Sequence, residues 1–284
     1  MKRRLFFALV LSLATLPLLV FNTASAAKPG AGGSKTPLGI DVSWPQCGRT
    51  LPKDHAFAIV GVNGGLANTT NPCLTDQLIW ATQAIGGTQQ EKIQLYVNTA
   101  NPGGLNTVSW PRSDVDVAGN TPTNPYGSCD GSDSLDCAWL YGWNRALEDI
   151  RDRFAPAVAQ TDLGPSPSPY IRWLDVETEN TWKLGETEFD YKSNVAVLEG
   201  MTAYFNYANV RVGLYSTDYQ WGQIVGNQVS TSSNLNGLPN WRPGGANLST
   251  AKQACTAAPL TPGGTVVLTQ FVWKNLDRNY SCIG

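Results

Sequence analysis

Short apolar runs alternate with stretches of helical spacing along this chain, and that alternation limits the folds open to it. Residues 38–42, 57–62, 93–97, 170–177, 210–215 and 265–271 are strand-length and rich in Val, Ile, Leu and aromatic side chains. Between them, Leu74, Leu78, Ala81 and Ile85 recur at intervals of three or four residues, one face of a helix that Asn71 and Pro72 would open. The same spacing links Leu140, Trp143, Leu147, Ile150 and Phe154, and again Tyr191, Val195, Leu198, Met201 and Phe205. Residues 238–241 read as a further short strand, while 220–235 are polar and ambiguous. Strands separated by helices predict an α/β architecture with a parallel sheet. A single unit of about 250 residues favours a β/α, TIM-like barrel, complete or incomplete, over an open sheet. Such barrels place their active sites at the C-terminal ends of the strands.

Polar residues sit at those ends. The run at 170–177 finishes in Asp175-Val176-Glu177, and because side chains alternate along a strand, both acids face the same way. Asp41 lies inside the first run, where a carboxylate needs a partner or a task. Asn63 and Asn98 follow the second and third runs, and Asp277 comes late in the chain. Asp41 as the partner of a nearby Arg, and Asp277 as a cap for the turn before Cys282, are the structural alternatives.

The first 26 residues carry a basic start, an apolar stretch and Ala24-Ser25-Ala26, the pattern of a cleaved secretory signal. Arg3-Arg4-Leu5-Phe6-Phe7 is similar to a twin-arginine signal, although Lys2 stands where Ser or Thr is usual, so the export route stays open. Residues 27–36 read as a flexible leader and 37–284 as one domain, secreted and possible to retain at the cell wall. Removing the signal takes three basic residues and no acid, leaving 17 basic against 22 acidic residues and a net charge of −5. That balance argues against nucleic acid as a partner, and no later stretch is long and apolar enough to span a bilayer. The six cysteines, in an exported chain, predict three disulfides. Fifteen pairings are open; the shortest loops join Cys47 to Cys73, Cys129 to Cys137 and Cys255 to Cys282. Residues 101–137 form an unusually long loop, read as a functional wall or lid.

Several segments together resemble the family 25 glycoside hydrolases, the lysozyme-like muramidases. They are Gly39-Ile-Asp-Val-Ser43 with Gln46, Leu174-Asp-Val-Glu177, Gly213-Leu-Tyr-Ser216, and Leu276-Asp-Arg-Asn279, in order across nearly all of the mature chain. The resemblance implies an incomplete eight-stranded barrel that cuts the β-1,4 bond after N-acetylmuramic acid in peptidoglycan. It assigns Glu177 as general acid, Asp175 as its partner, and Asp41 and Asp277 as the first-strand and late aspartates. No metal or cofactor is implied, and a monomer is expected. Tyr96-Val-Asn-Thr-Ala-Asn-Pro102 departs from the family's aromatic-His pattern, and the cysteine-bearing third loop is also unusual. In these features the chain is similar to a family-25-like group of exported actinobacterial proteins.

The chemistry suits the residues independently. Glycoside cleavage needs a carboxylic acid for the leaving oxygen and negative charge beside an oxocarbenium-like centre, and crowded carboxyl groups hold a proton near neutral pH. In a substrate-assisted route Asp175 would orient the sugar's own acetamido group. Tyr215, Trp44, Trp182, Trp241 and Trp273 lie near strand ends and are candidates to touch the sugar, whereas Trp139, Trp143 and Trp173 read as core. His55 is the single histidine, expected at a surface turn, and without a Gly-x-Ser-x-Gly elbow it supports no serine triad. Two alternatives remain: a non-catalytic glycan-binding or wall-associated barrel, and a hydrolase of another extracellular polysaccharide.

Overall fold

The computed structural model describes residues 36–104, 108–185 and 187–284, and from Thr36 to Gly284 the chain forms one unit. The signal read at residues 1–26, and the leader up to residue 35, lie outside the described residues. Eight strands close into a barrel in chain order: β1 Gly39–Val42, β2 Ala58–Gly61, β3 Ile93–Asn98, β4 Arg172–Asp175, β5 Val212–Tyr215, β6 Pro239–Gly245, β7 Thr265–Trp273 and β8 Leu276–Ser281. The TIM-like α/β barrel expected from the sequence is therefore the fold.

Two details differ from the expectation. Strands β1 to β7 are mutually parallel, but β8 runs antiparallel to both β7 and β1. Lys274 and Asn275, with φ of 52° and 59°, make a two-residue hairpin turn that returns the chain at once beside β7, so no crossover helix is needed. The barrel is also closed, because β8 pairs with β1 at Asp41↔Asp277 instead of leaving a gap.

The helices are α1 Leu74–Ala81, α2 Leu135–Glu148, α3 Ala155–Val158, α4 Glu188–Tyr207, α5 Asp218–Ile224 and α6 Leu248–Ala254. Side-chain oxygens of Ser134, Thr187, Thr217 and Asn247 accept from backbone N–H groups in the first turns of α2, α4, α5 and α6, which fixes where those helices begin. The helix face expected from Leu140 to Phe154 spans α2 and a π-helical segment, Asp149–Phe154, that leads into α3. Helix α1 stops at Ala81, leaving Ile85 outside it and exposed. The ambiguous stretch at 220–235 begins inside α5.

Alternation along the strands divides the apolar residues into two layers. Ile40, Val60, Leu95, Leu174 and Leu214 face outward into the helix layer. Phe57, Ile59, Trp173, Tyr215, Trp241 and Leu268 fill the barrel interior. Glycine makes room for these large rings: a Cβ on Gly39 would lie 2.2 Å from the Phe57 ring, and one on Gly213 equally close to the Trp173 ring. Arg172, a charge inside the apolar run of β4, points outward to a buried ion pair with Asp149 at 2.8 Å and sits 4.8 Å from the Phe154 ring centre. The disulfides are Cys47–Cys73, Cys129–Cys137 and Cys255–Cys282, the shortest-loop pairing. Among the described residues no helix is long and apolar enough to cross a membrane.

Candidate active site

Asp175 is the last residue of β4, above Trp173 in the barrel interior, and Glu177 follows just past the strand end. Parallel pairing sets Asn98, Asp175, Tyr215 and Trp241 in one row across β3 to β6. Within the row, Asn98 Nδ2 donates to Asp175 Oδ2 at 2.9 Å. Asp175 and Glu177 face the same site, as strand alternation predicted from Asp-x-Glu, and the buried Asp175 Oδ1 has no partner among the described residues.

Asp41 arrives from the other side of the barrel, on β1 beside Asp277 of β8. Asn279 Nδ2 donates to Asp41 Oδ1 at 2.6 Å, and Gln270 Nε2 faces both carboxylate oxygens at 3.2 Å. Gln270 in turn accepts from the Tyr215 hydroxyl at 2.8 Å, which links β1, β5, β7 and β8 through side chains. The alternative in which Asp41 pairs with an Arg is thus replaced by an amide cradle.

Electrostatics follow from crowding and burial. Burial, then the Asp277 charge, pushes the Asp41 carboxyl up to about 7, against the opposing effect of the Asn279 and Gln270 amides. Burial and the neighbouring Glu177 raise Asp175 well above the usual carboxylate range. Glu177 is raised by burial and by the charge of Glu179, and Asp277 by burial. Proton affinity is thus raised at all four acids, and Asp41 is brought to the neutral range. The phenols of Tyr96 and Tyr215 are pushed up by burial and by these same acids, and Tyr215 is the donor to Gln270.

The remaining predicted residues divide by position. Asn63 is buried, donating to the Ala67 and Thr69 carbonyls and accepting from Asn98 N–H at 2.9 Å, so its amide fixes a loop and steadies β3. Trp182 is also buried, and its Nε1 donates to the Glu177 carbonyl at 2.9 Å, which positions the acid's backbone. Trp241, in the same row as Asp175, packs against Tyr215 with ring centres 4.4 Å apart, and its buried Nε1 has no partner among the described residues. Trp44 and Trp273, 48% and 53% exposed, are the open aromatic faces at the strand ends. His55 corrects the expectation of a surface turn. It is fully buried and stacked on Trp80 at 4.2 Å, because it precedes β2 at the end of the barrel opposite the acids.

Gln270 and Asn279 were not singled out from the sequence. The signal available was again period two: Asn279 follows Asp277 by two residues, and Gln270 follows the interior Leu268 by two. The one group of metal-type side chains grouped closely among the described residues is Cys129, Asp136 and Cys137, and both sulfurs are committed to a disulfide.

The family model described as lysozyme-like protein 1 matches residues 171–242, a stretch that contains Asp175, Glu177 and Tyr215. This agrees with the resemblance to lysozyme-like enzymes read from the motifs. Similar solved structures include a multimodular pneumococcal cell wall endolysin from phage Cp-1, at 15% identity and a TM-score of 0.46 over 88% of this chain and 55% of that one. Another is the spore cortex lytic enzyme SleM of Clostridium perfringens, at 13% identity and a TM-score of 0.46 over 88% of this chain and 69% of that one. The chain spans about half the length of the endolysin it matches. No curated protein matches the chain.

Proposed function

We propose that the chain is an exported glycoside hydrolase that cleaves the β-1,4 bonds of peptidoglycan as a muramidase. The observation that carries this reading is the pair of neighbouring acids Asp175 and Glu177 at the C-terminal mouth of the barrel, with Asp41 and Asp277 paired across β1 and β8. Glu177, half-buried, is the general acid for the leaving oxygen. Asp175, buried and clamped by Asn98, orients the sugar's 2-acetamido group. Asp41 and Asp277 supply negative charge beside the oxocarbenium-like centre.

In the free protein Asp175 is the more deeply buried of the two, and burial raises its carboxyl well above the usual range, which favours the proton on Asp175. Substrate resolves that conflict. An acetamido N–H donated to Asp175 stabilises its carboxylate, and the proton of the pair then resides on Glu177, where the leaving oxygen takes it. The carboxylate left on Glu177 next accepts a proton from the water that completes hydrolysis. Export is supported by the signal pattern at residues 1–26 and by three disulfides, which persist in oxidising compartments.

The test is release of reducing ends from purified peptidoglycan by the mature chain and by Glu177→Gln. Turnover is expected to fall by about 10²–10⁴-fold in the variant, the usual share of a general acid. Turnover that survives would assign the acid to another residue, and an inert parent chain would remove the muramidase reading.

A further inference from the structure

A second groove lies on the outer helix layer, away from the acids. It encloses about 780 Å³ between residues 116–123 of the long loop and the outward faces of α2 and α4. Helix α4 begins soon after the acid end of β4, and Tyr204 and Tyr207 fall in its last turn. The groove is therefore roughly 25 Å along that helix from the mouth. Three rings build its aromatic wall. Trp143 and Tyr204 are 5.1 Å apart at 82°, and Trp143 and Tyr207 5.7 Å apart at 41°. Tyr207 is 75% exposed.

The opposite wall is fixed in place. Asp116 accepts from the backbone N–H groups of Ala118 and Asn120 at 2.9 Å each, and from Trp143 Nε1 at 3.2 Å. Val117 N–H donates to Asn144, and Arg151 donates to the Val117 carbonyl, both at 3.0 Å. These bonds hold the loop against α2 before any ligand arrives.

The lining also says what chemistry fits. Asp116 is already engaged by three N–H donors and Arg151 by Asp152 and the Val117 carbonyl, so the charged side chains of the lining are occupied in holding the wall. Among the described residues, the hydroxyls of Tyr204, Tyr207, Thr121 and Thr123 have no protein partner, although all four border the groove. Aromatic faces attract the weakly positive C–H face of a pyranose, and free hydroxyls suit its rim. A neutral, rigid, hydroxyl-rich strand matches every part of this surface.

We propose that this groove is a second glycan-binding site, which holds a neutral saccharide strand on Tyr207, Tyr204 and Trp143 and anchors the enzyme to its insoluble polymer. The proposal rests on the reading of the chain as a peptidoglycan hydrolase. It gives the long loop a different task from a lid over the acids, since residues 116–123 form a wall on the outside of the barrel.

The test uses Tyr207→Ala, whose side chain is too exposed to matter for folding, with Thr121→Ala as an independent variant on the opposite wall. Pelleting with insoluble peptidoglycan is measured in the Glu177→Gln background, so that the polymer stays intact. Turnover is measured in the otherwise unaltered chain, on the polymer and on a soluble N-acetylated tetrasaccharide. Tyr207→Ala is expected to weaken pelleting about five-fold and to slow polymer turnover by a similar factor, with tetrasaccharide turnover unchanged. Thr121→Ala should do the same to a smaller degree. Unchanged pelleting in both variants overturns the groove, as does pelleting by the Glu177→Gln chain that the soluble tetrasaccharide abolishes entirely at concentrations that fill only the mouth. An inert chain on both substrates would remove the hydrolase reading alone, because pelleting lost in Tyr207→Ala still reports on the groove.

Discussion

Glu179 is exposed, yet its charge is among the influences that raise Asp175 and Glu177, and Gln220 Nε2 holds it in place at 3.0 Å. Removing that charge should let the pair release its proton at lower pH. Glu179→Gln is therefore expected to move the alkaline limb of the activity profile to lower pH, by less at high salt because the charge is open to screening. Initial rates across pH at two ionic strengths would check this. An unmoved limb would separate Glu179 from the acid pair. Asp41 predicts a stability effect of definite sign. Its carboxyl is raised from 3.8 to about 7, so the folded state binds a proton that the unfolded chain has released, and stability is lost as pH rises between those values. Asp175, Glu177 and Asp277 are shifted the same way. Asp41→Asn should give a melting temperature that falls less steeply than the parent's between about pH 4 and pH 8, with the Asn279 contact still available to the amide oxygen.

Two elements depend on glycines whose importance no local pattern reveals. A Cβ on Gly142 of α2 would lie 1.9 Å from the Val197 carbonyl oxygen of α4, and a Cβ on Gly200 of α4 equally close to the Trp139 carbonyl oxygen of α2. The two helices thus touch backbone to backbone at a reciprocal pair of sites. Gly200→Ala is expected to cost at least about 1–3 kcal/mol, the scale of overpacking in a closed core, because backbone must move to admit the methyl group. Gly142→Ala should cost a similar amount, and denaturant unfolding of both variants would measure it. The apolar spacing that builds α2 and α4 is plain in Leu140 to Phe154 and Tyr191 to Phe205. Their contact is not, because it joins residues far apart in the chain. Strand β8 was hidden for another reason: Leu276–Ser281 alternates mostly polar side chains, with Asp277 and Asn279 turned into the site instead of a dry core.

For the molecule as a whole, the long third loop is an outer covering of the barrel. Trp110 Nε1 donates to the Ser132 carbonyl at 3.1 Å, and Asn124 Nδ2 to that of Asp136 at 2.8 Å. The Tyr126 hydroxyl donates to Glu199 on α4 at 2.6 Å. The Cys129–Cys137 bridge closes a short segment within this covering. Replacing both cysteines with Ser is expected to speed amide exchange in residues 108–137 and leave the strands protected, since the bridge packs in the outer helix layer and not among the rings of the barrel interior. Loss of protection across the strands at room temperature would show the covering to be part of the core.

The sequence by itself determined most of the strands and the longer helices, the α/β barrel and the placement of Asp175 and Glu177 on one face, because periods of two and of three to four are local properties of the backbone. Tertiary structure alone decided what each acid meets. Asp41 finds amides from β7 and β8, and Asp175 finds Asn98 from β3. The buried environment that raises their proton affinity exists only once the strands close around them, as burial and the charge of a distant neighbour are properties of position in space.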